Sequence, residues 1–296
     1  MNQLAISRPV VDGASATNYQ SLKPGMVDNR FSVLALAICF VSSVYCGWMQ
    51  QSIPDLAAWF CSIWLLLSLA ATVLITPRLF TVGYLISLLS FLIAWRIAAI
   101  NGAQLQMIIS GLCAIPLVFQ FVDCVANDLR SEHRKSGAWL ASLVWQFTVV
   151  RMCFGLNELC HATEKLFGGF SSFHHMEKGF QAVGLVEGAA FFVVLGGLIE
   201  LASAISVGLG VFARLGALMS TLYFLVATIG FGGEWTRGYA WASAGGGGWE
   251  YVMLLLVVFG GVMATGAGKF SVDGWLLSKA WFPRWLKVAC VSKQGY

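Results

Sequence analysis

Arg151-Met-Cys-Phe-Gly155-Leu-Asn-Glu158-Leu-Cys160-His161-Ala-Thr-Glu164-Lys165-Leu-Phe-Gly168-Gly169-Phe170 is the stretch on which the reading of this chain turns. It lies in a hydrophobic segment that begins near Ala138. At about 100° per residue, Arg151, Gly155, Glu158, His161 and Lys165 share an arc of about 120° on one helix face. That face carries two cations, a carboxylate and an imidazole. Gly155 in the same stripe allows a second backbone or a ligand to come close. A charged side chain facing lipid costs at least ~2.5–3.5 kcal/mol. The stripe therefore has to face a protein interior or a wet cavity.

The rest of the chain sets the same context. Of 296 residues, 58% are hydrophobic and 11% charged, with a mean hydropathy of +0.76. These values exclude a soluble globular domain and indicate an all-α polytopic membrane protein. The net charge of +4 is spread over segment ends and does not point to nucleic acid. The eight cysteines form no Cys-x-x-Cys motif, so thiol redox chemistry, structural zinc and covalent haem are not indicated. Cys153 and Cys160 fall opposite Arg151 and read as packing residues. The first thirty residues are polar and lack the pattern of a secretory signal.

Eight apolar segments are long enough to span a bilayer, at about 31–50, 57–76, 79–99, 104–123, 138–160, 184–208, 212–232 and 250–267. Thirteen of the 18 Lys and Arg residues fall on one side of this arrangement, three on the other and two, Arg96 and Arg151, inside segments. The positive-inside rule then places both termini in the cytoplasm, with a bacterial inner membrane as the expected location. The opposite side is acidic, with Asp55, Glu164, Glu177, Glu187, Glu234 and Glu250 on it or at its edge. Its longer connections, 161–183 and 233–249, hold His161, His174 and His175 in the first and a Gly245–Gly248 run in the second.

The polar stretch Asp123–Gly137 divides the spans four and four. The expected organisation is an N-terminal segment 1–30, a four-span domain 31–123, a basic linker 124–137, a second four-span domain 138–276 and a tail 277–296. In the tail, Trp281, Phe282, Trp285 and Leu286 alternate with Lys279, Arg284 and Lys287, which predicts an amphipathic helix over 277–288 on the cytoplasmic surface. The second half holds Arg151, Glu158 and Glu200 inside its spans. Glu200 is the expected partner of Arg151, because consecutive antiparallel spans are neighbours. His161, Glu164, Lys165, Glu187 and Glu250 map to the outer ends of spans five, six and eight. Either a salt-bridge cluster or a binding site would bring Glu187 or Glu250 to Lys165 or His161. His161, His174, His175 and Cys160 match no metal-site spacing.

Several pieces of the second half together resemble the DoxX/DoxD family of four-helix membrane proteins. They are Arg151-x3-Gly155 with Lys165-Leu-Phe-Gly-Gly-Phe, Gly184-Leu-Val-Glu187, Gly197-Leu-Ile-Glu200-Leu and Gly208-Leu-Gly210-Val-Phe-Ala-Arg214. Gly247-Gly248-Trp249-Glu250-Tyr and Gly266-Ala-Gly268-Lys-Phe-Ser271-Val-Asp273 complete the set. The resemblance covers about 140–276 and implies a four-helix bundle. Some members of the family look like small subunits of a thiosulfate:quinone oxidoreductase, and others are accessory membrane proteins. This chain departs from the pattern in Glu158-Leu-Cys-His161 and in its four leading spans.

The expected function is thus an integral-membrane subunit of a quinone-linked electron-transfer complex, with other membrane subunits and lipid as partners. Arg151, Glu158 and Glu200 are its candidate catalytic groups. His161, Lys165, Glu187 and Glu250 are the candidate quinone-binding groups, with Lys165 donating to a quinone carbonyl and His161 moving a proton. Two alternatives remain open: a non-catalytic structural or assembly subunit, and a small-molecule carrier.

Overall fold

The computed structural model describes residues 22–132, 138–232, 235, 237–240 and 248–291. Seven of its helices are long and apolar enough to cross a membrane, and an eighth, shorter apolar helix follows them. The first four are α1 (Asn29–Val44), α2 (Asp55–Ala70), α3 (Phe80–Ile100) and α4 (Gln104–Glu132). They close into a bundle through the pairs α1–α2, α2–α3, α3–α4 and α1–α4. After 133–137 come α5 (Ala138–Leu166), α6 (Phe170–Ala182), α7 (Ala189–Ser203), α8 (Ala213–Leu225) and α9 (Trp249–Thr265). Helices α5, α7, α8 and α9 form the second bundle, again by four neighbouring pairs. Four of the spans end in a wider, π-helical turn: Tyr45–Met49, Ala71–Ile75, Ala204–Gly208 and Val226–Gly232.

The first bundle is held by buried neutral polar pairs. Ser32 donates to Gln120 at 3.0 Å, Ser42 to Gln106 at 2.6 Å and Thr72 to Ser87 at 2.8 Å. In a bilayer, where apolar contact with lipid competes with apolar contact between helices, such pairs and small residues give helices a reason to associate.

The two bundles share one core. Phe270 sits among Phe80, Tyr84, Phe121 and Trp145, with ring centroids 5.3–6.1 Å away. Helix α3 packs directly on α5.

Three expected boundaries shift. Helix α4 does not stop at 123 but continues through the start of the expected linker to Glu132. The reason is that its polar residues have partners. Asp123 accepts from the Met26 and Val27 backbone N–H groups at 2.6 and 2.9 Å. Asp128 accepts from Trp145 Nε1 at 2.7 Å and Lys269 Nζ at 2.8 Å. Part of the 161–183 connection is itself helical, as α6. The tail is not one amphipathic helix over 277–288. It is a six-residue helix α10 (Val272–Leu277), a turn through Pro283, and a short 3₁₀ segment (Arg284–Leu286) leading into α11 (Lys287–Cys290). Pro283 lacks an N–H and excludes the helical conformation of the residue before it. The tail folds against α8, where Arg214 Nη1 donates to the Val288 and Val291 carbonyls at 2.8 and 3.1 Å.

Candidate functional site

The pairing register of α5 and α7 decides which charges meet. A Cβ on Gly155 would lie 2.6 Å from Gly208 Cα, and a Cβ on Gly197 would lie 2.8 Å from Leu166 Cγ. The two antiparallel contacts have the same index sum, so Arg151 lies level with residue 212 and Glu200 with residue 163. The twelve residues between 151 and 163 correspond to about 18 Å along α5. The expected Arg151–Glu200 pair is therefore not formed.

Arg151 is fully buried and donates instead to backbone carbonyls. Nη1 bonds to Val207 and, at 2.7 Å, to Gly208; Nη2 bonds to Phe270 at 2.6 Å. The π-helical turn at Ala204–Gly208 and the break after α9 leave these carbonyls outside a regular i→i+4 ladder, where they can accept a charged donor. Gly210, at φ +70°, carries the chain past the guanidinium, with Arg151 Nη1 only 3.2 Å from where a Cβ would be.

Glu200 takes the other cation of the stripe. Lys165 Nζ donates to both of its carboxylate oxygens, at 2.9 and 2.8 Å, and the Tyr223 hydroxyl donates to Oε1 at 3.1 Å. Both charged side chains are 8% exposed. Glycine makes the space for this group. A Cβ on Gly197 would press within 2.9 Å of Lys165 Cβ, and one on Gly196 within 3.3 Å of Tyr223 Oη.

The Lys165–Glu200–Tyr223 group stands between two cavities. The larger, about 770 Å³, lies between α6, α7 and α8, with Lys165 and Tyr223 on its wall and an otherwise mostly apolar lining that includes Phe180, Phe192, Leu195 and Phe231. The smaller, about 420 Å³, lies between α5, α7, α8 and α9 and is lined by Glu158, His161, Glu200, Tyr223, Arg237 and Tyr251 among others. A third hollow, about 510 Å³ and polar, lies where α3 meets α5 and α6. There Arg96 pairs with Glu164, beside Asn101, Ser172 and His175.

Of the residues singled out in the sequence, the structure brings Lys165, Glu200, Glu158 and His161 to these two adjoining cavities. Arg151 lines neither of them. Glu187 is exposed in the turn before α7, and Glu250 is buried in the first turn of α9. The partner found for Lys165 is thus Glu200, in place of the expected Glu187 or Glu250. The reason is again register: residues 197–200 of α7 lie level with the last turns of α5, and Glu187 lies beyond the start of α7.

Two participants escaped the sequence reading. Tyr223 sits inside an apolar span beside Ser220 and Thr221, and nothing in the local sequence sets its hydroxyl apart from theirs. Arg96 reads in the sequence as a lone mid-span charge, and its partner Glu164 is 68 positions away.

The tail motif also acquires a role. Asp273 accepts from the backbone N–H groups of Phe212 and Ala213 at 2.7 and 2.8 Å, which caps the start of α8. Val272 N and Asp273 N donate back to the Leu209 and Gly210 carbonyls at 3.1 and 2.8 Å. Burial pushes the Asp273 carboxyl above its ordinary range, and these backbone donors oppose the rise.

The fold and its buried charged face define an all-α polytopic membrane protein. The family model described as DoxX matches residues 147–233, in the second half of the chain. The match contains Arg151, Glu158, Lys165, Glu200 and Tyr223 and ends before α9. No curated protein and no solved structure matches the chain.

Proposed function

We propose that this protein is a membrane subunit of a quinone-linked electron-transfer complex, in a bacterial inner membrane with both termini in the cytoplasm. The headgroup of a quinone would lie in the larger cavity against Lys165 and Tyr223. The isoprenoid tail would follow the apolar lining between α7 and α8. The observation that carries this reading is a Lys165 ammonium and a Tyr223 hydroxyl, both bonded to the buried Glu200 carboxylate behind them, on the wall of a large, mostly apolar cavity that His175 and Lys178 also line. Such a cavity with few convergent polar groups suits an amphipathic ligand with one polar end. Lys165 supplies an N–H donor to a carbonyl oxygen, Glu200 holds that ammonium in place, and Tyr223 supplies a second hydroxyl. Partner subunits would deliver the electrons. Arg151, in this reading, is a brace and takes no part in binding.

The test is binding of a short-chain ubiquinone analogue to the full-length protein in lipid nanodiscs, read by quenching of tryptophan fluorescence. Loss of a charge-assisted hydrogen bond is worth about 1.5–3 kcal/mol, so Lys165→Met should weaken binding about tenfold or more. Tyr223→Phe should weaken it by a smaller factor. Binding that is absent from the parent protein, or unchanged in both variants, overturns the reading. Unchanged binding with a lowered melting temperature in Lys165→Met would instead assign the Lys165–Glu200 pair to holding the bundle together.

A further inference from the structure

The smaller cavity contains a group that the quinone reading leaves unused. Glu158 is fully buried, and neither carboxylate oxygen has a hydrogen-bond partner among the described residues. It lies one helical turn before His161 and lines the same cavity as Glu200 and Tyr223.

Its surroundings decide its charge state. On its own helix it faces His161, with Cys160 and Lys165 nearby. Lys165 is committed to Glu200, through both oxygens. From α7 comes the Glu200 carboxylate, a like charge. Helix α8 presents Tyr223, whose hydroxyl is given to Glu200. Helix α9 presents Tyr251, whose hydroxyl accepts from Asn157. Arg237 lines the cavity from the 237–240 segment and makes no hydrogen bond to either Glu158 oxygen. An ionised carboxylate placed here would have no hydrogen bond to set against its desolvation and a like charge beside it, with only the Lys165 ammonium, already shared with Glu200, in its favour. A protonated carboxyl avoids that cost, and the cavity gives its proton a way out.

We propose that Glu158 is a proton-carrying carboxylic acid of this second cavity, positioned to exchange its proton with the Glu200 side of the wall that separates the two cavities. The step is a proton transfer and nothing more: the O–H bond of Glu158 breaks, the electron pair stays on its oxygen, and the proton passes by way of the cavity to an oxygen of Glu200. Glu200 in its turn faces the headgroup position through Lys165 and Tyr223. The use of that proton at a quinone rests on the function proposed above; the protonated state and exchange of Glu158 do not.

Infrared difference spectroscopy of the full-length protein in nanodiscs tests this. The parent protein at neutral pH should show the C=O stretch of a protonated carboxyl, shifted on transfer to D2O because the proton exchanges with solvent. Glu158→Gln, which keeps shape and neutrality, should lose that band, unfold within a few degrees of the parent and bind the ubiquinone analogue within about twofold of it. Glu158→Asp should move the band without removing it, and serves if the glutamine variant does not fold. A parent spectrum without the band, a band unaffected by either substitution, or a band insensitive to D2O overturns the proposal. A parent protein that shows the Glu158 band yet binds no quinone analogue retains the proton site and loses only the quinone reading.

Discussion

Arg151 and Lys165 lie on the same helix face and meet opposite fates. The guanidinium is planar, always charged and rich in donors, so three carbonyls can hold it without a carboxylate. The ammonium is a compact point charge and takes the Glu200 carboxylate, through both oxygens. Arg151→Met should leave the Val207, Gly208 and Phe270 carbonyls without that donor, at a cost on the order of 3 kcal/mol or more. Glu200→Leu should not rescue this variant. Lys165→Met alone should also destabilise, and Lys165→Met with Glu200→Leu should recover much of the loss, since the two remove a charge pair together. Denaturation of the purified variants in one detergent checks both statements, and recovery of Arg151→Met by Glu200→Leu would refute the register deduced from the glycines. Gly155, one of the two contacts that define that register, gives a direct test of it. Any Cβ there collides with the Gly208 backbone, so Gly155→Leu should lower stability by several kcal/mol and move α5 away from α7.

Helices and their ends follow from composition up to the places where a distant residue intervenes. Helix α8 starts after Phe212, which holds φ +49° and offers no side-chain cap. The cap comes from Asp273, 60 positions along the chain from Ala213. Asp273→Ala should cost about 1–2 kcal/mol, as removal of an N-cap does, with Asp273→Asn closer to the parent because its amide oxygen still accepts. Amide exchange at Phe212 and Ala213 should rise in Asp273→Ala and stay low in Asp273→Asn. The same logic explains the tail. Its alternation of tryptophan and basic residues resembles a surface helix, but Pro283 interrupts it, and the carbonyls of Val288 and Val291 serve Arg214.

Across the whole molecule, the distribution of Lys and Arg predicts which ends of the helices face the cytoplasm. Ser171 near the start of α6 and Ser131 near the end of α4 are both exposed and lie toward opposite ends of the bundle. Cysteine introduced at Ser131 should react with a membrane-impermeant maleimide only from the cytoplasmic side, and at Ser171 only from the outer side. Labelling of both from one side would refute the topology.

Length, hydropathy and the segment spacing alone determined an all-α polytopic membrane chain, whose described residues hold seven helices long and apolar enough to span and an eighth, shorter apolar one. These are properties of single segments, set by the need to satisfy backbone polar groups within each helix in lipid. The intramembrane position of Arg151, Glu158 and Glu200, and the close approach that Gly155 allows, were likewise legible, because helical period depends only on local sequence; Lys165 read as belonging to the connection after the fifth span, and α5 in fact carries it to Leu166. Partnership was not. A shift of one helical turn between α5 and α7 exchanges one charge for another, and nothing local records that shift. The packing of Gly155 on Gly208 and Gly197 on Leu166 set it, and with it Lys165 against Glu200, Arg151 against backbone carbonyls, and Glu158 beside the second cavity with no hydrogen-bond partner among the described residues.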